Sequence, residues 1–454
     1  MGRCSTSAAA VALVALLLGV GAAPAAALVP PEVVVGIAPP DGPAAPELPT
    51  KQESGCLSTG VLQDTDISRT PPSELALNLA DARTLSRGMG VTVAVVDTGV
   101  TPHPRLPNVV PGGDYIAAGG DGLQDCDAHG TLIAGIIGGA ADPADGFTGV
   151  APDARILSIR YRSAAFRVDR GMGDQRERLA LEVRNLSRAI THATNLGAGI
   201  IVVPLPVCLP VDSGVDLGVL AEAIGYAVHT RGSLIVAGAG NADSMGCTQN
   251  PGFDPGRPGD PRNWKYVKTA SAPGVFSESV VTAGYTNAFG GATDQSLLGP
   301  WVTVAAPGTG IESLGPGSAG LINGVGEPGK LGPVGGSSFA AAYTAGVAAL
   351  VRSRYPNETP AEITARLTAS AHAPARGIDN MVGAGMIDPV AALSYRTPPQ
   401  PPEGLFQSAD LELPPPPRAP DAKPGITAAI VIIAAVLIGA AATYGVNSRR
   451  RQRQ

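Results

Sequence analysis

Short apolar runs alternate with helical segments through most of the chain. The runs VTVAVVD, ARILSIRY, GIIVVPLP, SLIVAGAG, SVVTAGY and WVTVAAPG contain few polar residues, as strands buried on both faces do. Between and after them, LEVRNLSRAITHATNLGA and SSFAAAYTAGVAALVRSRYP have the length and spacing of helices. This alternation predicts a doubly wound α/β domain, in which a mainly parallel sheet has helices on both faces.

The N-terminal residues have the pattern of a secretory signal peptide. After Arg3, the apolar run AAAVALVALLLGVG is followed by small residues up to Ala27, which is typical of a cleaved leader. We therefore predict a signal peptide over residues 1–27. An uncleaved membrane anchor is the alternative.

The C-terminal region predicts a membrane-spanning helix. Residues 426–446 contain no charged side chain, and this length can cross a hydrocarbon core of roughly 30 Å. The following tail, NSRRRQRQ at 447–454, is basic, and arginines are retained on the cytoplasmic side. The body of the chain between the two apolar segments is therefore expected on the extracytoplasmic, periplasm-like side of the cell membrane. A buried core helix is the alternative. The arginine-rich tail directly after the apolar run disfavours it.

The segments that flank the central domain differ from it in composition. Residues 28–74 are rich in proline and polar residues and predict an extended N-terminal extension, whereas 75–396 hold the alternating pattern. Residues 397–425 are proline-rich and predict a semi-rigid spacer. The formal net charge of -6 gives no basic excess that would indicate a nucleic-acid partner.

The cysteines predict two disulfide bonds. Cys4 lies in the leader, which leaves Cys56, Cys126, Cys208 and Cys247 in the exported part. An even number in an oxidising compartment favours disulfides, and four cysteines allow three connectivities that these residues alone leave open. Metal ligation by cysteine is the alternative, although the chain has no CxxC motif.

Three polar residues lie at the ends of predicted core elements. Asp97 ends the run VAVVD, His129 precedes the helix TLIAGIIGG, and Ser338 opens the helix after GGS. Taken singly, they could be a turn aspartate, a surface histidine and a helix N-cap. Together, and in this order, they are the groups that nucleophilic acyl transfer needs: serine attacks, histidine moves its proton, and aspartate orients the imidazole.

The motifs around these residues resemble those of the subtilisin-like (S8) serine protease family. They are DTGV at 97–100, HGT-x-x-AG at 129–135 and G-x-S-F-A at 336–340, and the resemblance extends over about 75–392. It implies the subtilisin-like fold and hydrolysis of peptide bonds.

The same resemblance assigns roles to individual residues. It implies that Asp97 is the orienting acid, His129 the general base and Ser338 the nucleophile. Asn241, in VAGAGN, matches the side-chain donor of the oxyanion hole. No cofactor and no metal ion are implied.

The appendages are similar to those of the mycosins, membrane-anchored proteases of type VII secretion systems. This likeness implies a Cys56–Cys126 disulfide that ties the extension beside His129, and a Cys208–Cys247 disulfide. It also implies protein or peptide substrates, and roles in processing them and in stabilising the membrane secretion complex. The alternatives are a structural subunit with a reduced-activity protease fold, and an esterase or peptidase unrelated to secretion.

Two positions depart from the family pattern. Ser337 stands before the nucleophile where threonine is usual; because the hydroxyl is kept, we expect activity to survive. In GIIVVPLP, the strand that pairs with bound peptide in relatives has Val202, Val203, Pro204 and Pro206. Proline cannot donate an N–H, so we expect altered specificity or turnover. The arginine-bearing segment 160–178 predicts a surface loop, either solvated or in contact with an acidic partner.

Overall fold

The computed structural model describes residues 28–169, 171, 173–257, 259–317, 320–375, 377–395 and 423–451. These residues form two compact units, one that ends at residue 396 and one that begins at residue 397. The predicted signal peptide at 1–27 and most of the predicted spacer at 397–425 lie outside the described residues.

In the described residues of the first unit, strands form one large sheet and four small ones. In chain order they are β1 Thr50–Gln52, β2 Ser58–Gly60, β3 Thr92–Asp97, β4 Val109–Asp114, β5 Arg155–Arg160, β6 Phe166–Val168, β7 Ile200–Val203, β8 Val207–Pro210, β9 Leu234–Gly238, β10 Thr269–Ala272, β11 Val280–Thr286, β12 Val304–Pro307, β13 Ser313–Leu314, β14 Leu321–Ile322, β15 Gly324–Glu327 and β16 Lys330–Pro333.

The described residues also form nine α-helices. In chain order they are α1 Pro72–Ala76, α2 Leu79–Leu85, α3 His129–Gly138, α4 Gln175–Asn195, α5 Gly218–Gly225, α6 Ser337–Arg354, α7 Pro360–Ser370, α8 Pro389–Ser394 and α9 Lys423–Arg451. A π turn at Tyr226–Thr230 extends α5, and a single 3-10 turn covers Trp264–Tyr266.

Seven strands form a parallel sheet in the order β12-β11-β9-β7-β3-β5-β4. Side chains alternate between two cores along each central strand. On β3, Val93 and Val95 pack in the core that contains α3 and α6, and Ala94 and Val96 in the core that contains α4 and α5. The predicted doubly wound fold, with helices on both faces, is confirmed.

Two predicted elements differ from the structure. The run LALNLADARTLSRG at 75–88 predicts one helix that ends at Gly88, but the structure has two short helices there, because Asn78 between them has a left-handed backbone with φ 46°. The segment 160–178, predicted as a surface loop, contains the end of β5, all of β6 and the start of α4. Its first residue, Arg160, is buried in an ion pair with Asp114.

The N-terminal extension packs against the rest of the first unit. β1 pairs antiparallel with β6, and β2 pairs antiparallel with β15. Before β1, Val34 N–H donates to Ala221 O at 3.2 Å, and His192 Nδ1 on α4 lies 3.0 Å from the Asp41 carboxylate. The extension is thus part of the surface of this unit.

In the described part of the chain, α9 is the one helix long and apolar enough to cross a membrane. Its apolar span is Thr427–Arg449, with a mean hydropathy of 2.4. The predicted span at 426–446 lies within α9, and the helix continues to Arg451. The first part of the predicted basic tail is therefore helical.

Candidate active site

Asp97 ends β3, where the winding of the sheet reverses. The chain leaves β3 to build β4 and β5 on one side, and then builds β7, β9, β11 and β12 on the other. Open parallel sheets bind ligands in the crevice at the carboxyl ends of strands at such a switch point. The topology therefore favours a site around Asp97.

The Asp97 carboxylate is fully buried and hydrogen-bonded. Thr98 N–H donates to Oδ1 at 2.6 Å, and His129 Nδ1 lies 2.8 Å from Oδ1 and 3.0 Å from Oδ2. Because a carboxylate only accepts hydrogen bonds, Nδ1 of His129 carries a proton. The neutral imidazole then has Nε2 as its acceptor.

His129 is the first residue of α3, and its second ring nitrogen reaches Ser338. Nε2 lies 2.9 Å from Ser338 Oγ. The imidazole packs beside Phe339, with ring centroids 5.5 Å apart, and 20% of the His129 side chain is exposed. One imidazole therefore links a buried carboxylate to a serine hydroxyl and stays open to solvent.

Burial and charge act in opposite directions on the pKa of His129. Burial lowers it, whereas the charge of Asp97, the hydrogen bond from Nδ1 to Asp97, and the charges of Asp125 and Asp127 raise it; the net pKa lies above the ordinary value. This direction suits a base whose protonated form must be stabilised while it holds the serine proton.

Behind His129, the buried carboxylate of Asp125 links the end of β3 to the start of α3. Asp125 Oδ1 accepts from Thr98 Oγ1 at 2.8 Å, and Oδ2 accepts from Thr131 N–H at 2.8 Å and from its hydroxyl at 2.7 Å. Thr98 Oγ1 accepts from Gly130 N–H at 2.9 Å. Burial raises the pKa of Asp125 to about 7. Sequence reasoning missed this network, because position in a loop does not reveal that a carboxylate is buried.

Ser338 lies in the first turn of α6, and the structure excludes its role as the helix N-cap. The N-cap is Gly336, with φ 136°, and the Ser338 hydroxyl contacts His129 instead. A Cβ at Gly336 would lie 2.7 Å from Asn241 Nδ2, so glycine is needed there for the amide to approach. The unpaired N–H groups at a helix N-terminus favour negative charge.

Asn241 follows β9 and is held by Ser337, the residue before Ser338. Ser337 N–H donates to Asn241 Oδ1 at 2.9 Å, and Ser337 Oγ accepts from Gly240 N–H at 2.9 Å. Within the described residues, Asn241 Nδ2 has no hydrogen-bond partner. Its amide N–H groups are therefore available at the N-terminus of α6.

The structure joins Cys56 to Cys126 and Cys208 to Cys247, the pairing that the resemblance implies. The first disulfide fastens the extension three residues before His129. Both sulfurs of the second lie close to the Cα of Gly240, since a Cβ there would be 3.4 Å from each. No group of three or more His, Cys, Asp or Glu residues suited to a metal ion occurs in the described ranges.

β7 ends at Val203, before the segment Pro-Leu-Pro at 204–206. Val202 and Val203 are fully buried, one in each core, and do not face the cleft. Leu205 is half-buried and lines a cavity of about 860 Å³ together with His129. The two flanking prolines have no N–H, so this edge of the cleft lacks two backbone donors.

The sequence is similar to known proteins over most of its length. The profile of the Subtilase family matches residues 88–385. Mycosin-1 of Mycolicibacterium smegmatis (strain ATCC 700084 / mc(2)155) is 42% identical over 454 residues, which cover 98% of this chain and 99% of the relative.

Solved structures show the same likeness. The MycP3 protease from a type VII (ESX-3) secretion system is 46% identical with a TM-score of 0.78, over 81% of this chain and 100% of that one. A chain of an intact ESX-5 inner membrane complex is 42% identical with a TM-score of 0.78, over 93% of this chain and 100% of that one.

Proposed function

Because the chain belongs to the subtilase family and is a serine endopeptidase, we propose that Asp97, His129 and Ser338 are its catalytic residues. The observation that carries this proposal is the position of one imidazole. His129 Nδ1 lies 2.8 Å from Asp97, and Nε2 lies 2.9 Å from Ser338 Oγ. This is the hydrogen-bond chain that a serine nucleophile needs.

In the first step, Ser338 Oγ attacks the carbonyl carbon of the scissile peptide bond. The hydroxyl proton moves to His129 Nε2, which has its acceptor lone pair free because Nδ1 donates to Asp97. The buried Asp97 carboxylate holds the imidazole in this tautomer and stabilises the imidazolium.

The negative charge that develops on the carbonyl oxygen is met by Asn241 Nδ2 and by the N-terminus of α6. The Ser337 N–H fixes the Asn241 amide through its oxygen, so the Nδ2 donor is oriented before substrate binds. A donor that needs no rearrangement during the reaction stabilises the transition state most effectively.

The tetrahedral intermediate collapses when His129 Nε2 returns the proton to the leaving amine, which leaves Ser338 acylated. Water then attacks the acyl-enzyme while His129 takes its proton, and His129 gives that proton to Ser338 Oγ as the peptide acid is released. We infer that the substrates are proteins or peptides bound in the cleft beside Leu205.

The enzyme acts as a membrane-anchored component of a type VII secretion system. Support comes from the likeness to mycosin-1 and to a chain of the ESX-5 inner membrane complex over nearly the whole sequence. The apolar span of α9 fits a membrane anchor, and the two disulfides fit an extracytoplasmic domain. The arginines that end α9 favour a cytoplasmic tail.

A largely structural role is not favoured, because the nucleophile, base and acid are all present and hydrogen-bonded. An esterase or peptidase unrelated to secretion is disfavoured by the likeness to the MycP3 protease of a type VII secretion system over 81% of this chain, and to a chain of the ESX-5 inner membrane complex over 93%.

The test uses the full-length protein in its membrane. A serine-reactive phosphonate should label the wild-type protein and not Ser338→Ala, and kcat for peptide hydrolysis should fall by about 10⁴ to 10⁶. His129→Ala should abolish labelling as well. A folded wild-type protein that never labels would contradict the proposal. Secretion that survives Ser338→Ala but not deletion of the protein would favour the structural role.

A further inference from the structure

Asn241 is the first residue of a short loop that ends at Cys247. Asp243 N–H donates to Cys247 O at 2.8 Å, and Cys247 N–H donates to Ser244 O at 2.9 Å, so the loop turns back on itself. Residues 243–246 are exposed, whereas Cys247 is buried. The loop therefore has the proposed oxyanion donor at one end and a buried cysteine at the other.

The backbone of this loop is unfavourable by itself. Asp243 and Met245 have left-handed backbones, with φ 56° and 51°, and this region is uncommon for residues other than glycine. Both residues are exposed, so burial of their side chains does not offset the cost. Because strained backbone of this kind persists only where the surrounding structure fixes it, the constraint must come from the ends of the loop.

At the Cys247 end, a disulfide supplies this constraint. Cys247 is bonded to Cys208, which lies in β8, a strand that pairs antiparallel with β10. The neighbours of Cys208 on β8, Val207 and Leu209, are buried in the core that contains α4 and α5. The bond thus ties an exposed loop to a strand that is fixed by hydrogen bonds and by packing.

The same disulfide contacts the chain on the other side of Asn241. The two sulfurs lie beside Gly240, where a Cβ would be 3.4 Å from each. Leu297 completes the cluster that the two cysteines form, and its N–H donates to Gly240 O at 2.9 Å. Asn241 therefore lies between a glycine that packs against the disulfide and a loop that the disulfide closes.

The side chain of Asn241 has one direct contact that fixes its rotation. In the described part of the chain, Oδ1 accepts from Ser337 N–H at 2.9 Å and from no other group. A single hydrogen bond lets the amide tilt when the main chain moves, whereas a transition state is stabilised best by a donor that is already in place. The direction of Nδ2 therefore depends on the main chain of Asn241, and through it on the disulfide.

We propose that the Cys208–Cys247 disulfide is a positioning element of the oxyanion hole, which keeps the Asn241 amide aimed at the cleft. The inference rests on the proposed peptidase function and adds two positioning residues to it. Without the bond, the loop relaxes towards ordinary backbone angles, and the main chain of Asn241 turns with it. A misplacement of about 1 Å at such a group costs up to roughly 10²-fold in rate.

The first test compares the kcat of Cys208→Ser/Cys247→Ser with that of the wild type, both as full-length protein in detergent. We expect kcat to fall about 10- to 100-fold, which is part of the loss of about 10² to 10³ expected for removal of the whole donor. In an Asn241→Ala background, the same two substitutions should lower kcat less than about twofold, because no donor is left to position. Equal losses in the two backgrounds would overturn the inference.

The split between kcat and KM is a further criterion. Met245 of the loop also lines the cavity that contains His129, and an effect of the loop on substrate binding would appear in KM. A raised KM with an unchanged kcat in Cys208→Ser/Cys247→Ser would therefore contradict the inference.

A second variant keeps both disulfides and thus the stability that they provide. Two glycines inserted after Met245 lengthen the exposed loop between Asn241 and Cys247, a change that surface loops tolerate. The loop then no longer transmits the constraint, and kcat should fall about tenfold. The same insertion after Pro328, in the exposed turn between β15 and β16, is the matched control and should keep kcat. Equal kcat in the two insertion variants would count against positioning through the loop.

Hydrogen exchange of the Ser337 N–H separates this inference from the proposed function, because it reports the contact with Asn241 without catalysis. Ser337 is buried, and its N–H should exchange about tenfold faster in the Met245 insertion variant than in the wild type. The Pro328 insertion should leave the rate unchanged. If the wild-type protein cleaves nothing and never labels, the proposed function fails, and the exchange rate still decides the positioning role. Equal exchange in the two insertion variants would refute it.

Discussion

The backbone N–H of Ser337 orients the side chain of Asn241, since it donates to the amide oxygen at 2.9 Å and leaves Nδ2 toward the cleft. The Ser337 hydroxyl holds Gly240, the residue before Asn241, because it accepts from the Gly240 N–H at 2.9 Å. One residue of α6 therefore fixes both the position and the rotation of the proposed oxyanion donor.

Replacing Asn241 by alanine should impair the chemical step. We expect Asn241→Ala to lower kcat by about 10² to 10³ and to change KM little, because the donor acts on charge that appears in the transition state. Steady-state kinetics on one peptide substrate measure both constants. A raised KM with unchanged kcat would show that Asn241 binds the ground state instead.

Ser337 should tolerate threonine and not alanine. Ser337→Thr keeps the hydroxyl that accepts from Gly240, so we expect kcat close to that of the wild type. Ser337→Ala leaves a buried N–H without its acceptor, which costs about 1 to 3 kcal/mol of unfolding free energy, and it should lower kcat by loosening Asn241. Denaturant unfolding and kinetics test both effects; full activity of Ser337→Ala would show that the hydroxyl contact is dispensable.

Activity should rise with pH through a pKa above the ordinary value for histidine. His129 must be neutral to accept the serine proton, and nearby carboxylates raise its pKa despite burial, so the protonated, inactive form persists to higher pH. Asp125→Asn removes one of these charges and should move the acid limb of kcat/KM to lower pH. The matched control is Asp142→Asn, which is not among the groups that act on His129. An unmoved limb in Asp125→Asn would contradict the assignment.

The Cys56–Cys126 disulfide should hold the extension against the domain. The Cys56→Ser/Cys126→Ser variant loses a cross-link with a sequence separation of 70, and we expect a loss of about 4 kcal/mol in unfolding free energy. Limited proteolysis should then cut the extension near β1 and β2 faster. The Cys208→Ser/Cys247→Ser variant is the control, since its separation of 39 residues does not include the extension. Equal cleavage of the extension in both variants would argue against this role.

Pro206→Ala should improve turnover of long peptides. Alanine restores one backbone N–H at the edge of the cleft, and a single hydrogen bond predicts a gain of about two- to tenfold in kcat/KM. A small ester substrate that does not reach this edge should be cleaved at the wild-type rate. If long peptides show no gain, this edge does not pair with the substrate backbone.

The sheet was predictable because its strands are apolar on both faces. The run 93–96 places Val93 and Val95 in one core and Ala94 and Val96 in the other, so an unbroken apolar run was sufficient evidence of a strand. The short strands β1, β2, β6 and β13 to β16 were missed, because two to four residues contain too few positions for a period to be recognised.

The residues of the candidate site that lie in sequence motifs were predictable, whereas a residue that only its burial in the fold distinguishes was not. Asp97, His129, Ser338 and Asn241 lie in recognisable motifs, and the structure brings all four to one edge of the sheet. Asp125 lies in unremarkable sequence, and only its burial and its hydrogen bonds distinguish it. Such properties depend on the folded neighbours of a residue and not on its place in the chain.

The disulfide from the extension to Cys126 also determines what a cut in the chain can release. If a protease cleaved between β2 and α1, the fragment that contains Cys56 would stay covalently attached to the catalytic unit. Its β1 and β2 strands would remain paired with β6 and β15. Maturation by cleavage at that place would thus produce a two-chain enzyme, which a non-reducing gel shows as one band and a reducing gel as two.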